Sequence, residues 1–473
     1  MERKRKLYAA KAAVIMVAVP ILLWAYEYGP NPGYSGVPNE LGTCATSGCH
    51  VGTTNNPANK GSVSVAFPNG QTYLPGVKQH LVVTIADPVQ RAWGFQLTAR
   101  LATNSATMAG TFASTDQNTT LMCSSTDFNV FLEVDYASGK TQTCAASMPL
   151  QYIEHSLAGY NATKGHTGSQ TYEFDWTPSA ASSGNVIVYV SGNAANGDLT
   201  VNGDHIYNTS YTLTPISFGG PPSITAGGVV SAGAFGAFTS VAPGSWMEIY
   251  GTNLAGSTRS WAGTDFTGNQ APVSLDAVKV TIGGQAAFID YISPTQVNAQ
   301  VPSGTPTGAQ QIVVSTPAGA SPAYNITVNT LQPGLLAPSS FLVGGKQYVV
   351  AQLLDGTYVL PPNTIAGIAS RQAKPGETIV IYGIGFGPVL DSGNQNIPAG
   401  TIVTASNTLS NPFSMAFGAS SATVSYSGLA PSFVGLYQFN VVVPSVSNND
   451  LVPLSFKLNG VAGSQTLFIA VHN

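Results

Sequence analysis

The stretch Ala242-Pro243-Gly244-Ser245-Trp246-Met247-Glu248-Ile249-Tyr250-Gly251 returns as Lys374-Pro375-Gly376-Glu377-Thr378-Ile379-Val380-Ile381-Tyr382-Gly383, 132 residues downstream. In both copies a Pro-Gly turn opens onto an extended run of β-branched and aromatic residues and closes on glycine. Each copy is followed by a Gly-containing turn, a strand pair, and a strand ending in Val-Pro, at Val301-Pro302 and Val443-Pro444. A repeated supersecondary unit predicts two similar Ig-sized β-sandwiches, at 223–330 and 373–473. Residues 331–372 are expected to connect them, with room for a hairpin.

Upstream the period is also two. Short alternating runs at 63–67, 80–85, 95–99, 171–176 and 186–190 read as strands. In the fourth, Tyr172, Phe174 and Trp176 share one face, with Glu173 and Asp175 on the other, as a half-buried strand requires. Gly219-Gly220-Pro221-Pro222 closes this first domain, at 61–218. No window of a dozen residues carries a helical period, so the chain is predicted to be all-β, with three β-sandwich domains.

Composition narrows the function. Of 473 residues only 8% are charged, and 17 Lys and Arg leave a formal net charge of −4. No basic stripe for neutralising phosphates can be built from so few cations, which excludes a nucleic-acid binder. Five of those cations, Arg3, Lys4, Arg5, Lys6 and Lys11, precede an apolar run at 12–25. That order is the pattern of a secretory signal peptide or signal anchor over 1–25. It predicts an extracytoplasmic protein, periplasmic, surface-bound or secreted, with this segment as its sole candidate membrane tether. Residues 26–60, rich in Gly, Pro and Asn, have no hydrophobic period and read as an irregular segment.

Two resemblances follow from these stretches. "APGSWMEIYGTNLAG", "VTIGGQAAFIDYISPTQVNAQVP", "KPGETIVIYGIGFGPV" and "YSGLAPSFVGLYQFNVVVPS" resemble a C-terminal domain abundant in secreted acidobacterial proteins. They are also similar to the IPT/TIG group of Ig-like sandwiches. The resemblance implies a presentation or interaction module without catalytic residues. "RAWGFQLTAR", "QYIEHSLAG", "YEFDWTPSA" and "SGNAANGDLTVNGDHIYNTSYTLT" resemble bacterial Reeler-like, choice-of-anchor domains. Such domains commonly begin with a Cys-x-x-Cys-His segment.

Here the matching segment is Cys44-Ala45-Thr46-Ser47-Gly48-Cys49-His50, a C-x4-C-H arrangement. In c-type haem attachment two thiols add to the haem vinyl groups and the adjacent histidine becomes the proximal iron ligand. The usual spacer is two residues; four require a bulged loop, which Gly48 permits. The expected cofactor is therefore one covalent haem c, held by Cys44, Cys49 and His50. A structural Cys44–Cys49 disulfide and a different metal site are the competing readings.

A single haem usually takes a second axial ligand, most often His or Met. His155 ranks first, because it lies in "QYIEHS", ahead of His80, His166, His205, Met108, Met122 and Met148. A core histidine bonded to a backbone carbonyl is its competing reading. Trp93 and Phe95 are placed to cover a haem face or to act as ordinary core. Cys123 and Cys144 fit a second disulfide, which chain entropy values at roughly 3 kcal/mol.

Asn196–Asp204 offers oxygen ligands that could hold Ca²⁺ but lacks EF-hand spacing, and it reads as a plain polar loop. The pairs Glu133/Asp135 and Glu173/Asp175 have strand spacing and read as solvated faces. No nucleophile elbow, zinc helix or Walker loop is present. The sequence thus predicts a non-enzymatic, monohaem electron-transfer protein, its partner a redox protein or a cell-surface polymer. The alternative is a non-redox adhesion or matrix protein.

Overall fold

The computed structural model describes residues 27–46, 50, 55–58, 60–68, 70–180, 184–234 and 238–473. The predicted export segment at 1–25, and Cys49, lie outside these residues. Among the described residues no helix is long and apolar enough to cross a membrane. The chain is all-β and divides into two compact units, one ending at Ile216 and one beginning at Ser217.

The first unit is a sandwich of twelve strands: β1 (Ser62–Ala66), β2 (Thr72–Tyr73), β3 (Gln79–Asp87), β4 (Ala92–Leu101), β5 (Asn104–Met108), β6 (Thr111–Ser114), β7 (Thr119–Ser124), β8 (Phe131–Asp135), β9 (Leu150–His155), β10 (Gly168–Thr177), β11 (Val186–Ala195) and β12 (His205–Pro215). One sheet runs β1-β3-β10-β6, the other β2-β12-β11-β4-β9-β7-β8, with β5 on β4. Tyr172, Phe174 and Trp176 of β10 are buried as their alternation requires, while Glu173 remains exposed. They meet Phe95 of β4, whose ring stacks on Phe174 at 5.9 Å between centroids. Aromatic pairs of this kind add about 0.5–1.5 kcal/mol beyond their buried area.

β4 departs from simple alternation, since residues 92–100 are all buried. Its second face carries Gln96, Thr98 and Arg100, and the segment before residue 47 supplies their cover. Gln96 Oε1 accepts from the Tyr34 N–H at 2.7 Å, and its Nε2 donates to Asn31 O at 3.0 Å. Arg100 Nη2 donates to Glu40 Oε1 at 2.9 Å, and the Tyr152 hydroxyl donates to Glu40 Oε2 at 2.7 Å. Residues 31–40 of the segment read as irregular are therefore held by buried polar side chains of the sheet. Its own sequence lacks a period because it contributes hydrogen-bonding groups, not an apolar stripe.

The Cys123–Cys144 disulfide is formed, with Cα atoms 5.5 Å apart. Disulfides persist in oxidising compartments. Replacing both cysteines with serine should lower the stability of this unit by about 2–3 kcal/mol. Denaturant unfolding of the oxidised wild type against the double variant measures the loss.

The absence of a helical period did not reveal a short helix, Leu157–Thr163, directly after β9. Ser156 caps it, its Oγ accepting from the Gly159 N–H at 3.1 Å. Seven residues are too few for an amphipathic period, so the cap was the available signal.

In the second unit the repeated stretches form equivalent strands, Trp246–Thr252 and Thr378–Ile384, still 132 residues apart at both ends. Gly244 and Gly376 have φ of 80° and 88°, as position i+2 of a Pro-Gly turn demands. Ser245 N–H donates to Ala242 O, and Glu377 N–H to Lys374 O, each at 3.0 Å. Each strand then pairs with the one ending in Val-Pro: Trp246 lies opposite Gln300, and Thr378 opposite Val442. Residues 331–372 are not a plain connector. Gly334–Leu335 and Ala351–Leu353 both hydrogen-bond to Thr378–Ile384 and belong to the second repeat's sheet. These pairings are too short to show an alternating period in sequence.

Candidate functional site

A cleft of about 890 Å³, measured with its open mouth, lies on the face of β4 and β11 beside the N-terminal segment. Cys44, His50 and His155 all line it, together with Trp93, Phe95, Tyr160, Asn193, Leu199 and Asp204. Residues separated by more than a hundred positions thus converge on one space.

His50 is held by two side chains. Its Nδ1 lies 2.6 Å from Asp204 Oδ2, and Asp204 is almost wholly buried. Its Nε2 lies 3.1 Å from Asn193 Nδ2. A carboxylate on Nδ1 selects the tautomer in which Nδ1 donates and the Nε2 lone pair accepts, here from the Asn193 amide, which a metal at Nε2 would have to displace. The second Asp204 oxygen accepts from Asn196 N–H at 3.0 Å.

Cys44 is buried, and the Ser191 hydroxyl donates to its Sγ at 3.4 Å. Its N–H donates to the same Ser191 oxygen at 3.4 Å. His155 Nδ1 sits against the Phe95 peptide, 3.2 Å from N and 3.4 Å from O. The His155 ring occupies the space a β-carbon on residue 94 would need, its Cε1 falling 2.5 Å from that position. Gly94 is therefore what lets the imidazole lie on the strand. Beside it, burial drives the Glu154 carboxyl well above the usual range, although the Gln96 amide, donating at 2.7 Å, opposes the shift.

The other candidate ligands are placed elsewhere. His80 is exposed between Asp175 and Glu173 at 3.0 and 3.2 Å. His205 Nδ1 pairs with Asp87 at 2.6 Å. Burial raises the Asp87 carboxyl, but hydrogen bonds from Tyr207, Val89 and His205 prevail and hold it low. His166 accepts the Trp93 indole N–H through its backbone carbonyl at 3.0 Å. Met108 lies against Arg100 and Thr98, while Met122 and Met148 are in apolar cores.

The Asn196–Asn202 loop uses its oxygens internally. Asp198 Oδ1 accepts from Thr200 N–H at 2.8 Å, and Asn196 Oδ1 from Asp198 N–H at 2.9 Å. It forms one wall of the cleft. Asp204 belongs to the stretch that the sequence reads as a plain polar loop, and the fold sets it on His50. Asn193, which carries no motif, was missed altogether.

The donor types present, imidazole and thiol, are those that a haem-type group uses. Two histidines and a cysteine share one cleft, one histidine is already oriented through its Nδ1, and aromatic side chains form the walls. Asn193 Oδ1 is buried and has no hydrogen-bond partner among the described residues. Also among the described residues, no three His, Cys, Asp or Glu side chains group closely enough to hold a bare metal ion.

Fold and site together describe an all-β protein with a cleft in its first unit lined by Cys44, His50 and His155. Residues 237–330 match the IPT/TIG domain family model. The human F-spondin reeler domain is similar at 16% identity over 34% of this chain and 92% of its own, with a TM-score of 0.21. The C-terminal domain of the Streptococcus pyogenes antigen I/II-family protein AspA shares 10% identity, covering 57% of this chain and 100% of its own at a TM-score of 0.24. The C-terminal domain of the Streptococcus agalactiae AgI/II polypeptide BspA shares 10% identity, covering 87% and 100% at 0.19. No curated protein matches the chain.

Proposed function

We propose that this chain is an extracytoplasmic, non-enzymatic protein whose first unit carries one c-type haem, with the IPT/TIG-like repeats serving as presentation or docking modules. The observation that supports it is the convergence of Cys44, His50 and His155 on one cleft. Cys44 and Cys49 are the attachment thiols, His50 the proximal ligand and His155 the distal one. When bound, haem supplies one-electron transfer, its potential tuned by ligands and burial. The chain's own contribution is orientation and exclusion of water: Asp204 fixes His50, Gly94 admits His155, and Trp93, Tyr160 and Leu199 wall the cleft. The partner in this reading is a redox protein.

Full chain coexpressed with cytochrome maturation factors should show a Soret band and a haem-sized mass increase on the peptide spanning residues 44–50. His50→Ala should abolish the low-spin spectrum, and Asp204→Asn should shift the reduction potential while leaving the covalent mass. Absence of both band and mass increase in the wild type refutes this reading.

A second reading has support of its own. The chain already uses one thiol pair structurally, at Cys123–Cys144, and Cys44 is buried against Ser191. In it, Cys44–Cys49 is a disulfide and the protein is a non-redox adhesion or matrix component that binds a cell-surface polymer. Non-reduced mass spectrometry separates the two readings, because this one requires the 44–50 peptide to lack two hydrogens and carry no haem.

A further inference from the structure

The second unit contains a cleft of its own, about 1410 Å³ with its open mouth. Trp246, Trp261, Phe266 and Phe433 supply aromatic walls, and Asp290, Asn298 and Ser432 the polar groups. No lining residue is cationic.

The aromatic loop is preorganised. Arg259 grips Asp265 with Nη1 and Nη2 at 2.8 and 3.0 Å, and its Nε reaches Asp276 at 2.9 Å. Asp265 Oδ2 also accepts the Ala262 N–H at 2.6 Å. A bidentate, doubly braced guanidinium of this kind holds a loop at low entropic cost to a ligand. Trp261 and Phe266 are thereby held edge-to-face, with ring centroids 4.9 Å apart. Phe433 also lines the cleft and is 54% exposed.

Asp290 and Asn298 come from one sheet, where Glu248 and Tyr250 of a neighbouring strand lie outside the cleft lining. Glu248 and Tyr250 sit on the strand Trp246–Thr252, Asn298 on Gln296–Gln300, and Asp290 on Phe288–Ile292. The Tyr250 hydroxyl donates to Glu248 at 2.5 Å, and Gln296 Nε2 donates to Asn298 Oδ1 at 2.8 Å. Asp290 Oδ1 is buried and has no hydrogen-bond partner among the described residues. An acceptor buried in this way is destabilising unless something supplies a donor.

From these observations we propose that this cleft binds a neutral oligosaccharide, with Trp261 and Phe433 against sugar faces and Asp290 accepting from sugar hydroxyls. Aromatic faces pair with the C–H faces of pyranose rings, and amides and carboxylates with hydroxyls. The lack of a lining cation disfavours acidic glycans. The proposal rests on the broader reading of the chain as a surface binding protein and is independent of haem, so a missing Soret band leaves it untouched.

The test titrates the full chain with cellohexaose, xylohexaose, maltohexaose and chitohexaose, followed by tryptophan emission and calorimetry. At least one is expected to bind. Trp261→Ala and Asp290→Asn should each weaken it about tenfold or more, the size of a lost charge-assisted hydrogen bond or stacking contact. Trp261→Phe should restore most of the affinity and shows that the alanine variant's loss is not misfolding. The proposal is overturned if none of the four sugars binds, or if either weakening variant binds as the wild type does. Tetramethylammonium chloride binding in the cleft in place of the sugars, as an aromatic cage with a carboxylate would allow, overturns it too.

Discussion

Arg100→Met lowers the stability of the first unit by about 3–5 kcal/mol, the range for removing one member of a buried ion pair. The Arg100 side chain is wholly buried, and Glu40 is nearly so. Arg100 donates to Glu40 Oε1 at 2.9 Å and to the Tyr152 hydroxyl at 2.7 Å. Its guanidinium also lies over the Tyr152 ring, 5.0 Å from the centroid. Burial and the nearby Glu40 carboxylate hold the Tyr152 phenol neutral, against the opposing pull of Arg100. Without the guanidinium, Glu40 is a desolvated carboxylate facing a neutral phenol.

The consequence reaches the cleft, because Glu40 is one of the points that tie the segment bearing Cys44 onto the sheet. Protease accessibility of residues 27–46 should rise together with the loss of stability. Adding Glu40→Leu to Arg100→Met should recover most of the loss, since an apolar pair replaces a broken ionic one. If the double variant is as unstable as the single one, packing of the arginine stem and not its charge accounts for the effect. The measurement is denaturant unfolding of both variants at one pH.

Asp290→Asn carries the second large effect, and its sign is opposite. Burial is the main cause that raises the Asp290 carboxyl to about 6; Asn298 opposes the shift and Glu248 adds to it. Between about pH 4 and pH 6 the unfolded chain ionises this group while the folded chain still holds the proton. Stability contributed by the protonated form is therefore lost as pH rises through that window. Asparagine has no charge to desolvate. At pH 7 the variant should be more stable by up to about 3 kcal/mol, two pKa units at 1.36 kcal/mol each. Below about pH 4 the difference should vanish. Thermal unfolding across pH 3.5–8 reads it, and a pH-independent difference would rule the mechanism out. The same substitution is expected to weaken saccharide binding, a trade of stability for function.

Much of the architecture was legible because it is local. Tyr172, Phe174 and Trp176 are buried on one face of β10 as their period of two requires. The Pro-Gly turns at 243–244 and 375–376 set the start of equivalent strands in both repeats. Cys123 and Cys144 pair as their placement around an inserted loop suggested. Where pairing is short the signal failed: Gly334–Leu335 and Ala351–Leu353 offer two or three residues each, too few to alternate. The helix at Leu157–Thr163 escaped notice for the same reason.

The sites divide along the same line. From sequence alone, Cys44, His50 and His155 could be named by type and by neighbours, because thiol and imidazole chemistry belongs to the residue itself. That they line one cleft, that Asp204 orients His50, and that Gly94 makes room for His155 are matters of the tertiary structure. The same holds for Asp290 beside Trp261, which no spacing connects. Strand period and turn geometry are set by residues two to four apart, and the sequence states them directly. Which face is covered, which carboxylate loses its water and which ring meets which strand depend on segments brought together from tens to more than a hundred residues away. Only packing decides those.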